Sequence, residues 1–370
     1  MATSTSLLHN KATGNNFDFH LNWWFCIVSV AYLGFALAFS KLYGAPFDLY
    51  LLAFESIGIT LTGFIFLFCA RVIFVMAFIR PKRLIHYLLQ DLHCYVTSAR
   101  IRFSVPVLVL IPIFISAFGI FKAAIPFINP YFLDIKISNW DNLLHGGQDP
   151  WSLLQPIIGF PLVTMVINIF YHLWFFVMIS FLYWQACRIE NARLRMQFLW
   201  SFLLIWMVLG TIGATALSSV GPCYYAYFVS GDNPFAPLMQ YLRQADVHYP
   251  IWALTVQDLL LSNYLNRNSN PALGISAMPS LHVATSVLMA LVGWRVCRSA
   301  GIALTLFALI IMVGSVHLGW HYALDGYAGA LGAWGIWQIT GWVMCLMLKP
   351  DTFFVHPTEK PPEIVWRPSA

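Results

Sequence analysis

AMPSLHVATS (277–286) and GSVHLGWHYALDGYAG (314–329) set three ionisable side chains, His282, His321 and Asp325, beside long apolar runs. An aspartate at membrane depth costs roughly 2.5–3.5 kcal/mol on insertion scales, so Asp325 needs a partner. His321 stands four residues earlier, the spacing at which side chains on one helical face meet. A carboxylate that orients one ring nitrogen of a histidine leaves the other free as base or nucleophile. His282 opens a different apolar run. Two histidines and a carboxylate on neighbouring helix ends point to phosphoryl chemistry at a membrane surface.

The surrounding composition sets the solvent. The chain has 370 residues, 59% hydrophobic and only 9% charged, with a mean hydropathy of +0.71, whereas soluble proteins carry about 25% charged residues. Eight apolar runs, near 22–40, 51–70, 104–125, 157–183, 197–218, 279–297, 300–318 and 322–347, approach the roughly 20 residues that span a bilayer. The expected fold class is all-α: a polytopic membrane helix bundle of about eight transmembrane helices. The net charge of +5 does not imply nucleic acid as a partner, because membrane proteins place Lys and Arg for topology. Seven scattered cysteines form neither a disulfide framework nor a zinc pattern. The polar first twenty residues lack the apolar core of a signal peptide, so the first helix is expected to act as insertion signal.

With eight spans both termini share a side. Fifteen of the 20 Lys and Arg fall in segments on that side, and five (Lys41, Lys122, Lys136, Arg243, Arg267) on the other. The asymmetry predicts cytoplasmic termini. The loops 126–156 and 219–278 then face outward, as do His282 and the junction carrying His321 and Asp325. Such a site lies at the inner membrane's outer face in a bacterium, or at a lumenal face in a eukaryote.

Pro279 fits the first position of a helix, where its missing N–H costs nothing. The amides of Ser280, Leu281 and His282 then fall among the open donors of the first turn, an end that binds phosphate. Ser280 adds a hydroxyl. In these residues the chain resembles the type 2 phosphatidic acid phosphatase superfamily, whose second motif PSGH is matched as Pro279-Ser280-Leu281-His282 and whose third, SRxxxxxHxxxD, is matched in its latter half by His321 and Asp325. The resemblance covers roughly 104–347 as a six-helix catalytic core, with 1–103 (tail, two additional helices, basic loop) and a 348–370 tail outside it. It implies a phosphohistidine at His321, oriented by Asp325. His282 then serves as acid and later as base, and Ser280 and nearby amides hold the phosphoryl oxygens.

The departures carry information too. Gly314-Ser315 replaces the Ser-Arg of the third motif. The first motif, KxxxxxxRP, is absent; IRPKR (79–83) lies too early and on the cytoplasmic side, while SSVGPCYY (218–225) occupies its place. Lost arginines with retained His, His and Asp are similar to the inositol phosphorylceramide synthase-like branch and to sphingomyelin synthases. This implies headgroup transfer from a lipid-linked phosphate to a hydroxyl, in preference to water as acceptor. Hydrolysis of a polyprenyl or lipid phosphate, and a non-catalytic lipid-phosphate binder, are the alternatives.

Another cation must then meet the phosphate. Arg267, twelve residues before Pro279, is expected to fold back over the His282 helix end, with Arg243, Lys122 and Lys136 as alternatives. His317 completes HxxxHxxxD with His321 and Asp325, a pattern open to metal binding, packing or phosphate contact; no metal and no cofactor are expected. Asp149 in HGGQDPW (145–151) reads as a helix cap or a substrate contact. GPCYYAYF (221–228) reads as an interfacial aromatic belt or as lining of the site.

Overall fold

The computed structural model describes residues 2–43, 49–188, 190–266 and 274–347, and every regular element among them is helical. In chain order these are α1 (Ala2–Tyr43), α2 (Leu49–Phe74), α3 (Leu84–Tyr95), α4 (Ser98–Ile128), α5 (Asp134–Leu144), α6 (Pro150–Ile158), α7 (Pro161–Cys187), α8 (Ala192–Leu204), α9 (Ala214–Ala216), α10 (Tyr225–Phe228), α11 (Ala236–His248), α12 (Trp252–Leu265), α13 (Leu281–Val296), α14 (Arg298–His317) and α15 (Ala323–Met347). A π-helical stretch, Ile205–Gly213, joins α8 to α9.

Seven of these stretches are long and apolar enough to cross a membrane. The eighth expected span, 279–297, is the exception. Ser280 caps α13 and Cys297 is extended, leaving a 16-residue helix, about 24 Å long at 1.5 Å per residue and short of a hydrocarbon core of roughly 30 Å. The long run at 157–183 is also interrupted: α6 ends at Ile158, and α7 restarts with Pro161 in its first turn, a position that suits proline.

α13 packs against α14 and α15, with α7 and α8 alongside; α1 lies on α4, and α2 lies on α4 and α7. The expected loops 126–156 and 219–278 are largely helical, containing α5, α6 and α10 to α12. These short helices cover the end of the bundle that carries His282, His321 and Asp325.

Arg195 counts toward the basic topology signal, yet it is fully buried. Its guanidinium donates to the carbonyls of Ala186 (3.0 Å) and Phe103 (2.7 Å) and to Asn22 Oδ1 (3.1 Å), joining α7, α4 and α1. Arg195→Met leaves these acceptors without a donor in a dry setting, at about 1–3 kcal/mol for each one stranded. The variant is expected to melt at a lower temperature in detergent, and Arg195→Lys to recover only part, since a lysine lacks the planar fork. Melting equal to wild type contradicts this.

Candidate active site

α14 stops at His317, and Gly319 turns the chain with φ at 75°, the left-handed conformation common at helix ends. The amides of Leu318, Gly319, Trp320 and His321 close on the carbonyls of Gly314, Val316 and Ser315. α15 begins at Ala323. His321 therefore stands on a turn ahead of the helix, and the single HxxxHxxxD face expected from the spacing is not formed. The pair still meets. Asp325 Oδ2 accepts the Tyr322 amide (3.0 Å) and lies 3.4 Å from His321 Nδ1, reaching back from the first helical turn as a capping-box carboxylate does. Asp325 is fully buried and His321 is 6% exposed. Asp325 Oδ1 has no partner among the described residues.

The start of α13 also differs from expectation. Ser280, not Pro279, bounds the helix: it is the N-cap, fully buried, and its Oγ accepts the Val283 amide at 3.5 Å. Its own amide is not open, because it donates to the Asp325 carbonyl at 2.9 Å. That bond joins the two motifs directly. Among the described residues, the amides of Leu281 and His282 remain the open donors of the first turn. The His282 ring lies 4.0 Å from Trp174 and 4.7 Å from Tyr171 between centroids, with the His321 ring edge-on at 5.8 Å. Trp174 is itself fixed by a 3.0 Å bond from Nε1 to Thr285 Oγ1. Tyr171 stacks on Trp320 at 6.4 Å, its hydroxyl buried and unpartnered among the described residues. A small cavity of about 10 Å³ reaches His321 between Asp141, Trp151, Phe235 and Tyr322, room for a single water at most.

Two carboxylates outside the motifs organise these turns. Asp134 and Asp141 stand seven residues apart on α5, two helical turns and hence one face. Asp141 accepts the amides of Ala323 (2.7 Å) and Leu324 (3.0 Å), the first two of α15. Asp134 accepts the amides of Val220 (3.1 Å) and Gly221 (3.0 Å) and the Tyr322 hydroxyl (2.9 Å). Burial pushes both carboxyls up, and the amide donors draw them back. The segment at the place of the missing first motif completes the brace: Ser219 accepts the amides of Ala277 and Met278, and the Cys223 amide donates to the Gly319 carbonyl at 2.8 Å. Tyr224 and Tyr225 are buried and Pro222 lines the cavity at His321, so GPCYYAYF borders the site and is the strut between both motif loops. The i, i+7 aspartates of α5 were the available signal.

The remaining candidates separate. His317 is buried and shares a 2.9 Å hydrogen bond with Thr164 Oγ1, which in turn meets the Tyr241 hydroxyl. Asp149 stands at the α6 N-cap without capping; its carboxylate accepts from Asn142 at 3.2 Å. Arg243 pairs with Asp258 at 3.1 Å on the surface, and Lys136 is exposed. Arg267 lies outside the described residues. Among the described residues, no three His, Cys, Asp or Glu side chains gather as a metal site.

Asp141→Ala removes both acceptors from the α15 amides. Loss of a cap costs about 0.5–2 kcal/mol, and the His321 turn loses its anchor. We expect a lower melting temperature together with a fall in turnover larger than any rise in KM, with partial recovery in Asp141→Asn. Wild-type turnover in Asp141→Ala contradicts the brace.

No curated protein and no solved structure matches the chain at a significant level. A family model described as PAP2 superfamily matches residues 135–339, which takes in α5 through most of α15 and both motifs. The chain belongs to the PAP2 superfamily.

Proposed function

We propose that this chain is an integral membrane enzyme that moves a phospho-headgroup from a lipid-linked phosphate to a hydroxyl acceptor, through a phosphohistidine at His321. The observation that carries the reading is the His321/Asp325 pair with the His282 ring 5.8 Å from His321. Asp325 holds the proton on Nδ1, so the Nε2 lone pair is free to attack phosphorus. As the P–N bond forms, the bond to the leaving oxygen breaks, and protonated His282 gives that oxygen its proton. Neutral His282 then takes the proton of the acceptor hydroxyl, whose oxygen attacks phosphorus and frees His321. The open amides of Leu281 and His282 at the Ser280 cap offer donors for the phosphoryl oxygens.

Transfer is favoured over hydrolysis by the surroundings of the pair: His282 lies between aromatic faces, an apolar setting that suits a lipid hydroxyl as acceptor. α13 is shorter than the hydrocarbon core; with its His282 end below the membrane surface, a lipid hydroxyl comes within reach. Hydrolysis, in keeping with a phosphatase family, is the second reading. Counted with α13 as an eighth crossing, the excess of Lys and Arg on the side of the termini supports an extracytoplasmic site.

Purified protein incubated with candidate phospholipids and polyprenyl phosphates, with and without a hydroxyl acceptor, is expected to yield phosphorylated acceptor by mass spectrometry. Release of inorganic phosphate alone sinks transfer and leaves hydrolysis. His321→Ala is expected to abolish turnover, and His282→Ala to lower it by about 10²–10⁴-fold, the worth of general acid–base catalysis. EDTA should leave activity unchanged; loss with recovery on adding Zn²⁺ or Mn²⁺ contradicts the metal-independent route.

A further inference from the structure

The positions that supply cations in the family motifs are committed to other bonds here. Ser315, at the third-motif arginine, turns its carbonyl to the amides of Trp320 and His321 and its hydroxyl to the Met312 carbonyl. Residues 218–223 bear no charge and bind Asp134, Ala277, Met278 and Gly319. Asp141 occupies the first amides of α15. A phosphoryl group in transfer spreads negative charge over its equatorial oxygens and needs fixed positive partners.

α4 carries a cation to the same place. Lys122 lies in its outer turns, half-buried, and makes no hydrogen bond or ion pair among the described residues. It also lies outside the matched residues 135–339, so the family signature does not contain it. Three packing relations bring its stretch of α4 to the His282 helix end. Gly274, on the segment leading to Pro279, rests on the Lys122–Ala123 peptide so closely that a Cβ there would stand 2.7 Å from Ala123 N. Phe118, one turn before Lys122, and Leu281, next to His282, both lie against Gly210. Asn129, just past α4, donates to the Thr215 carbonyl at 2.8 Å, while Pro279 lies against Gly213.

We propose that Lys122 is the cation that binds the substrate's phosphate oxygens, reaching the site from α4 in place of the motif arginines. The proposal rests on the phosphate-binding reading above. Its test pairs binding with turnover. The protein in detergent is titrated with inorganic phosphate and with orthovanadate while melting is followed, and kcat/KM is measured in parallel. Both anions are expected to stabilise the wild type. Lys122→Met should weaken their binding at least about tenfold and lower kcat/KM by about 10²-fold, the scale of losing one preorganised charge partner. Lys122→Arg should retain part of both, and ligand-free melting should stay near wild type. If methionine impairs folding, Lys122→Gln serves in its place. Undiminished anion binding in the variant, or no anion binding by the wild type, overturns the proposal. Anion binding that depends on Lys122 without turnover upholds it and sinks the enzymatic reading instead.

Discussion

Peptide groups that leave helical geometry at the edge of an apolar slab have no water to bond, so the protein must supply every partner. Three such segments meet at one end of this bundle: 218–221, 274–280 and 318–322. They satisfy one another. Ser219 takes the amides ahead of Pro279, Gly319 takes the Cys223 amide, and Asp325 takes that of Ser280 through its carbonyl. What they leave over goes to two aspartates of α5. The positions of His282 and His321 follow from this arrangement, because His282 sits just beyond one braced segment and His321 within another.

The same brace accounts for a change of role. Where the family's first motif would bring cations, this chain places small and aromatic residues that hold loops. A charge needed at the phosphate must then arrive from elsewhere in the bundle, and α4, packed under the 274–280 segment, is the element in position to deliver it. The aromatic faces of Trp174 and Tyr171 lie around His282, and in such low-dielectric surroundings electrostatic interactions are stronger than in water.

Membrane class, all-helical fold and most spans were legible in the sequence, because apolar runs near 20 residues match the thickness of a bilayer and repeat along the whole chain. The pairing of His321 with Asp325 was legible from spacing, but its geometry was not. The i, i+4 rule assumes a continuous helix, and Gly319 breaks α14 before His321. Pro279 invited placement at the first helical position; the Ser280 cap won because its hydroxyl and carbonyl serve the first turn. The roles of Asp134 and Asp141 were not legible, since the loop holding them has weak periodicity. Carboxylates outside the apolar runs look like solvated surface until the backbone amides they accept are known. Arg195 was hidden for a similar reason: a basic residue near a span end reads as topology, and only packing shows that its fork is buried.

The proposed chemistry turns on a covalent intermediate at His321. Protein quenched in alkali during turnover of a labelled lipid phosphate, then digested and sequenced by mass spectrometry, tests it most directly. A phosphohistidine route predicts base-stable, acid-labile phosphate on the peptide containing His321, absent from His321→Ala and accumulating in His282→Ala. Phosphate on any other residue, or a phosphoenzyme that persists in His321→Ala, contradicts it.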